Sequence, residues 1–469
     1  MKNISRRNFL RTSGAVAAGA IVLPNLVSCT KKNGIVNLAI VGVGGRGSGN
    51  WKGLITESYN KQTKERVLNP NVRVVALCDV DANILAGVSK TFPEAKTFKD
   101  FRVMLDNMHK DIDAVIVSTP DHTHFAVTMA AMELGKHVYV EKPLAHNIWQ
   151  LRTLVKAAKH YGVINQLGNQ GHASDGIRNV KEWYDSGILG EVKEVHAWFN
   201  GPDFKGNYFV KPDAYPPTSQ PVPEGLDWDL WLGPAKERPF NKCYVPRRWR
   251  GFYELGNAEL GDWACHTLDT PYWSLELGSP NVVEPILSVR NEGMPDKIVT
   301  DSSVLKFEFG QRGNKAPVTL NWYEGGEKPE NRPEWLTKEL GGNGMIMVGE
   351  KMSVMTGGRP NDARLIMPKE EWQAFKKKGW EQSIPRIPEQ NQYKEFINAI
   401  RGEGPMPGST FEYGAGLTEM ALVGVMAQRF DKRIEFDAKN MKVTNHPELN
   451  AYIKEPVRKG WAYGENLWG

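Results

Sequence analysis

The spacing of apolar and polar residues changes character several times along the chain, and each change predicts an element. Val36 to Val41 read VNLAIV, an apolar run suited to a strand buried on both faces. It gives way at once to Gly42-Val43-Gly44-Gly45-Arg46-Gly47, a glycine turn entering a helix. A polar stretch from Thr56 to Pro70 follows, read as an insertion or as a long first helix with a loop. Strands are then predicted at Val72–Leu77, Ala114–Ser118, His137–Val140 and Val163–Leu167. Helices are predicted near Asp100–His109, at Phe125–Leu134 closed by Gly135, and at Asn147–Tyr161. Strands separated by helices of this length imply a doubly wound parallel sheet with ligands at the carboxyl ends of its strands.

Beyond Gly168 the rhythm is different. A helix is expected around Asp175–Asp185 and a strand at Glu191–Phe199, followed by the proline-rich stretch from Gly201 to Arg250, which suits neither helix nor central strand. Ile286–Val289, Val304–Phe309, Val318–Tyr323 and Met345–Val348 alternate as half-buried antiparallel strands do, and helices are expected near Gln392–Ile400 and Tyr413–Gln428. Trp461, Tyr463 and Trp468 in the tail are expected to pack on the body or on a partner subunit. With 469 residues, 41% of them hydrophobic, the chain is too long for one core. The division read from the pattern is 1–34 as leader and linker, 35–167 as a nucleotide-binding domain and 168–469 as a substrate and oligomerisation domain.

Charge adds an exclusion. The formal net charge is +5, but Lys2, Arg6, Arg7 and Arg11 lie in a segment expected to be removed. About +1 then remains, which gives no basis for nucleic-acid binding. Ser5-Arg6-Arg7-Asn8-Phe9-Leu10 ahead of a short apolar stretch resembles a twin-arginine export signal, which carries folded proteins. Leu26-Val27-Ser28-Cys29 resembles a lipoprotein cleavage box. The expected location is periplasmic, with Cys29 as a lipid anchor and no other membrane contact; an ordinary cleavage site is the alternative. Cys78, Cys243 and Cys265 form no C-x-x-C pair, so neither a disulfide framework nor a cysteine zinc site is expected.

The chemistry concentrates at strand ends. Gly42, Gly44, Gly45, Arg46 and Gly47 sit where backbone N–H groups and a helix dipole meet, a place that suits a pyrophosphate. Asp79 ends the second strand, where adenosine ribose hydroxyls would be held. A carboxylate there favours NAD over NADP, and Arg73 is poorly placed to hold a 2′-phosphate. Two later strand ends carry Ser118-Thr119-Pro120-Asp121-His122-Thr123-His124 and Glu141-Lys142-Pro143. In the second half, Asp262 and His266 are four apart and share a helical face, with Asp269 one turn further on. A carboxylate beside an imidazole suits a general base taking a hydroxyl proton. A metal site built from Asp262, His266 and Asp269 and a structural Asp–His pair are the rival readings.

In this order, the glycine turn, the acidic second strand, Thr-Pro-x-x-x-His and Glu-Lys-Pro resemble the glucose–fructose oxidoreductase/inositol dehydrogenase/MocA family. The resemblance implies a Rossmann domain joined to an α/β domain with a large open, mostly antiparallel sheet. It also implies dimers or tetramers formed through that sheet. It assigns Lys142 to the nicotinamide and the substrate hydroxyl, His266 to the base, and Asp262 to positioning the base or the substrate. Ser118, Thr119, Pro120, His124, Glu141 and Asn169 join the cofactor contacts, and Trp249, Arg250 and Tyr253 the substrate contacts. No metal is expected. The function expected is NAD-dependent oxidation of a sugar, glycoside or polyol hydroxyl, with the cofactor kept bound and recycled. The alternatives are an NAD-dependent glycosidase working through transient C3 oxidation and elimination, and a lipid-anchored sugar-binding protein.

Overall fold

A computed structural model describes residues 34–60 and 62–468. The export and lipidation motifs lie outside the described residues. The first half builds a six-stranded parallel sheet from β1 (Val36–Val41), β4 (Val72–Cys78), β5 (Lys96–Phe98), β6 (Ala114–Val117), β7 (His137–Glu141) and β8 (Asn165–Gly168), in the order β5-β4-β1-β6-β7-β8. The order reverses at β1, so the crevice for a ligand opens beyond the ends of β1 and β6. The Thr56–Pro70 stretch is an insertion: helix α1 (Gly45–Leu54) stops before it. It forms a small hairpin of β2 (Thr56–Tyr59) and β3 (Arg66–Leu68), whose strands are largely exposed.

Two helices here depart from the pattern reading. Helix α2 (Ala82–Ser89), capped by Asp81, was not signalled by any wide apolar stripe; Leu85 is its one buried residue. After α3 (Phe101–Met108), helix α4 runs Asp121–Met132 and so begins four residues before the expected Phe125. Asp121, His122, Thr123 and His124 look like loop in the sequence. They are instead a buried first turn, because the second domain covers them. His122 donates to or accepts from nothing local; its ring nitrogens lie 3.2 and 3.0 Å from the carbonyls of Leu255 and Trp231.

After α5 (Ile148–Tyr161) and α6 (Asp175–Asp185), the second half forms a nine-stranded sheet. Its strands are β9 (Val192–Phe199), β10 (Val282–Val289), β11 (Ser302–Phe309), β12 (Val318–Glu324), β13 (Asn343–Gly349), β14 (Val354–Thr356), β15 (Arg364–Leu365), β16 (Ile434–Asp437) and β17 (Lys442–Val443). The order is β15-β14-β13-β9-β12-β11-β10-β16-β17. Only β9 and β12 pair in parallel; the other neighbours are antiparallel. The long connection from β9 to β10 carries the proline-rich stretch, which is irregular apart from α7 (Trp228–Leu232) and one short turn of 3-10 helix at Arg248–Gly251. Helix α8 (Asp269–Leu275) follows it, and α9 (Lys369–Lys378) is peripheral, with no buried residue.

The halves share their core. Helix α11 (Phe411–Phe430) is apolar almost all round and is buried along most of its length between α5 and the large sheet. Helix α10 (Gln392–Arg401) crosses back to the first half, where Phe396, Ile397 and Ile400 join Leu38, Ile40 and Tyr139 in one cluster on the parallel sheet.

Candidate active site

The glycine turn is shaped by close approach. Gly42 has φ +80°, and a Cβ on it would stand 2.6 Å from the Ser118 carbonyl oxygen. A Cβ on Gly47 would lie 1.8 Å from the Gly42 oxygen, so only glycine lets α1 start this near β1. The first turn of α1 carries no acidic residue and no side-chain cap, leaving backbone N–H groups for an anion. Asp79 closes the turn from the next strand: Oδ2 accepts from the Val43 N–H at 2.9 Å and Oδ1 from the Asp81 N–H at 3.0 Å. Burial, reinforced by the neighbouring Asp81, raises its carboxyl above the usual range despite those N–H donors.

From this turn a cleft of ≈1510 Å³ runs between the two halves. Gly42, Gly44, Gly45, Arg46 and Asp79 line one end. Ser118, Thr119, Pro120, His124 and Glu141 line its side, and Lys142, Trp249, Arg250, Asp262 and His266 gather beyond them. His124 is braced with its two ring nitrogens 2.8 Å from the carbonyls of Pro143 and Thr119. Arg46 donates from Nε to Glu141 Oε1 at 2.9 Å, fastening the glycine turn to the end of β7.

The far end is organised by an irregular helix. Leu260–Ala264 form a wide π-type turn before a single α turn, Cys265–Thr267. The Asp262 carbonyl accepts from Lys142 Nζ at 2.6 Å while Asp262 Oδ1 accepts from the same Nζ at 2.5 Å. Arg250 Nε adds a third donor, 3.3 Å from Oδ1, and its guanidinium lies over the Trp249 ring at 4.2 Å. Burial works against ionisation of Asp262, but Lys142 and Arg250 outweigh it and hold the carboxyl well below the usual range.

This corrects the expected Asp262–His266 pair: the carboxylate is engaged by two cations, and His266 Nδ1 is buried without a hydrogen-bond partner among the described residues. Burial, then the charges of Lys142 and Arg359, push the imidazole well below its ordinary 6.5. Asp269 faces elsewhere. It accepts from Asn169 Nδ2 at 3.0 Å and Tyr413 Oη at 2.5 Å and lies 3.1 Å from His172 Nδ1, so Asp262, His266 and Asp269 do not converge on a cation.

Two more expectations need correction. Asn169 is not in the cleft; it is 1% exposed, and its Oδ1 accepts from Ser409 Oγ at 2.6 Å. Tyr253 is equally buried, donating to Gln428 Oε1 at 3.1 Å inside the second core. Asn169 stands next to Gln170 and Tyr253 three residues after Arg250, both of which line the cleft, but side-chain direction depends on tertiary packing, and spacing does not reveal it. Gly47 lies beneath the turn rather than on the cleft wall.

Residues outside the expected site set complete the wall. Trp263 stacks on Phe199, with ring centroids 4.2 Å apart, and Arg359 sits 5.0 Å over its other side. Asp121 and Glu259 are buried acids on the same wall. Asp121 and Glu259 were within reach of spacing arguments, one inside a motif and the other three residues before Asp262. Arg359 arrives from the turn between β14 and β15, and no local signal marks it.

At the adenosine end a strap from the second half closes over the parallel sheet. Leu226 bridges Asp81, Ala82 N–H donates to the Gly225 carbonyl at 2.9 Å, and Asp227 N–H donates to the Val80 carbonyl at 2.9 Å. Arg458 Nε holds the Gly233 carbonyl at 2.7 Å, and Trp461 packs against Phe101 with centroids 6.0 Å apart. Trp228, Trp231 and Tyr244 stack on one another as packing, with 4.7 and 5.8 Å between centroids.

A parallel sheet with a glycine phosphate turn, joined to an open mixed sheet across a cleft holding a buried Lys–Asp–His group, defines a two-domain dinucleotide-binding protein. Sequence models of the Gfo/Idh/MocA oxidoreductase family match both parts: its NAD-binding Rossmann fold over residues 36–169 and its C-terminal alpha/beta domain over residues 174–285, together just over half of the chain. The chain belongs to this family. A model of the twin-arginine translocation pathway signal matches residues 3–22.

Among similar proteins are an inositol 2-dehydrogenase of Salmonella typhimurium, 31% identical over 128 residues, or 27% of this chain and 38% of that one, and a glycosyl hydrolase family 109 protein of Shewanella putrefaciens, 25% identical over 229 residues, or 42% and 46%. The chain thus matches less than half the length of each. The solved WlbA dehydrogenase of Bordetella pertussis, in complex with NADH and UDP-GlcNAcA, has the same fold at 19% identity and a TM-score of 0.57, covering 87% of this chain and 99% of that one.

Proposed function

We propose that the protein is an exported NAD-dependent oxidoreductase acting on a CH–OH group of a sugar, glycoside or polyol, with a tightly held cofactor recycled in place. The observation that carries this reading is the convergence of Lys142, Asp262 and His266 at one end of a cleft whose other end is the glycine turn. The glycine cradle, which added side chains would fill, and the uncapped N-terminus of α1 fit a dinucleotide pyrophosphate, and Asp79 fits ribose hydroxyls better than a phosphate. NAD bound there would supply a hydride acceptor. His266, unprotonated near neutrality, takes the proton of the substrate hydroxyl, and Lys142, fixed by Asp262, donates a hydrogen bond to the same oxygen. The twin-arginine signal supports export with the fold complete, and Cys29 is the proposed anchor; dimers or tetramers through the open sheet are the proposed assembly.

The test is the purified protein itself. NAD(H) is expected in protein isolated without added cofactor, and glycosides or polyols should change the absorbance of the bound nicotinamide. Protein that is empty and gains no thermal stability from NAD defeats the reading. Because the strap and Trp461 close the adenosine end, Trp461→Ala should release NAD about tenfold faster, the effect of losing on the order of 1–2 kcal/mol of aromatic packing. A stopped-flow displacement assay measures it.

The pH profile gives a second check. The His266 imidazole is held below its ordinary value, so the acid limb of kcat/KM should fall below about 6.5, the pKa of a free histidine. An acid limb at or above that value removes His266 as the base. The same shift affects stability: the unfolded chain binds this proton more readily, so the contribution is full above about 6.5 and is lost as pH falls from there.

Redox-neutral glycoside cleavage is the second reading, favoured by the acid Glu259 on the cleft wall. A released aglycone without a net keto sugar would identify it.

A further inference from the structure

Glu259 lies three residues before Asp262 and is 3% exposed, yet it belongs to the wall of the substrate end of the cleft. Its Oε1 is packed against Gly201 so closely that a Cβ there would come within 2.2 Å. Its Oε2 is buried with no hydrogen-bond partner among the described residues. No ion pair holds it among the described residues: Lys142 and Arg250, the nearest cations acting on it, both donate to Asp262 Oδ1 instead. Behind it, Glu324 is saturated by neutral donors: Trp322 Nε1 at 2.9 Å, Thr300 Oγ1 at 3.3 Å and Gln428 Nε2. A buried carboxylate without a cation is costly, and two more carboxyls nearby make ionisation costlier still. Burial, then Asp262 and Glu324, accordingly push the Glu259 carboxyl well above its usual range. A protonated carboxyl carries one O–H donor, and a buried donor without an acceptor is an unmet demand inside a ligand cleft.

We propose that Glu259 is a substrate-contacting residue whose carboxyl O–H donates a hydrogen bond to an acceptor oxygen of the bound sugar, selecting which hydroxyl is presented to Lys142 and His266. This rests on the oxidoreductase reading for the identity of the reacting hydroxyl, but the contact itself is measured by binding. Asp262 and Glu259 then divide the labour of one short segment: the ionised acid orients the cations, and the neutral acid reads the ligand.

The experiment compares wild type, Glu259→Gln and Glu259→Leu as NAD-loaded protein, with methyl β-glucoside, levoglucosan and myo-inositol as probes. Calorimetry gives affinity, and the absorbance of the bound nicotinamide gives turnover. Glutamine keeps an N–H donor at the same place, so affinity for the best probe should stay within about twofold, whereas leucine should weaken it about tenfold or more. Infrared difference spectra should show a protonated carboxyl band that moves when the sugar is added and is missing in Glu259→Gln. If Glu259→Leu fails to fold, that band decides: one that does not respond to sugar overturns the proposal. Leucine binding as well as wild type, or wild type binding none of the probes, overturns it too. A binding loss in Glu259→Leu without any nicotinamide signal in wild type supports the contact and defeats the oxidoreductase reading instead.

Discussion

Replacing Lys142 by methionine should lower kcat by about 10²–10⁴-fold, the usual weight of a positioned proton-handling group, while bound NAD stays within about twofold of wild type. Methionine keeps the length of the apolar stem, so the strand end and the cofactor cradle keep their shape. What is lost is an ammonium held in place by two acceptors of one residue, the Asp262 carbonyl and Oδ1. Without it, the substrate oxygen loses its ammonium donor, and the negative charge that develops as the proton leaves is no longer met by Lys142. KM should change little if Lys142 acts mainly in the transition state. Single-turnover measurements on the loaded protein separate the two parameters. An undiminished kcat would remove Lys142 from the chemistry and leave it as a structural partner of Asp262.

Asp262→Asn should destabilise the fold by about 3–5 kcal/mol, the order seen when one partner of a buried ion pair is removed. Lys142 and Arg250 have side chains only 10% and 18% exposed, and the carboxylate between them is what makes their proximity tolerable. The amide still accepts a hydrogen bond but carries no charge, so two cations are left facing each other in a poorly solvated place. Denaturant unfolding should show a lower midpoint with an unchanged slope. Because the Asp262 carboxyl titrates well below its unfolded value, its contribution is complete above about pH 4 and is lost as pH falls further. The gap between variant and wild type should therefore narrow in acid. A constant gap would mean that the loss is one of packing rather than charge.

The parallel sheet was legible because β1, β6 and β7 are short, largely apolar and separated by helices, a pattern that admits little else. The glycine turn and Lys142 were legible for a related reason: the chemistry sits at strand ends, and strand ends can be counted. The second half was harder. The spacing of Asp262 and His266 suggested partners on a regular helix, but the wide turn at Leu260–Ala264 and the arrival of Lys142 and Arg250 from other elements gave Asp262 different neighbours. Asn169 and Tyr253 failed for a similar reason, since each was claimed by the core. Arg359 and the strap at Leu226 reach the cleft only through tertiary folding, and a single sequence has no local signature for contacts of that kind.

Helix α10 covers the parallel sheet with residues more than two hundred positions downstream of β8, and Trp461 closes the adenosine end from further along still. A nascent polypeptide emerging from the ribosome therefore carries its nucleotide-binding half with one apolar flank bare until residues 392–401 have been made. A complete nucleotide cleft then waits for residues far along the chain, and a product truncated before residue 392 would be a sticky substrate for chaperones and proteases, even with every glycine of the phosphate turn in place.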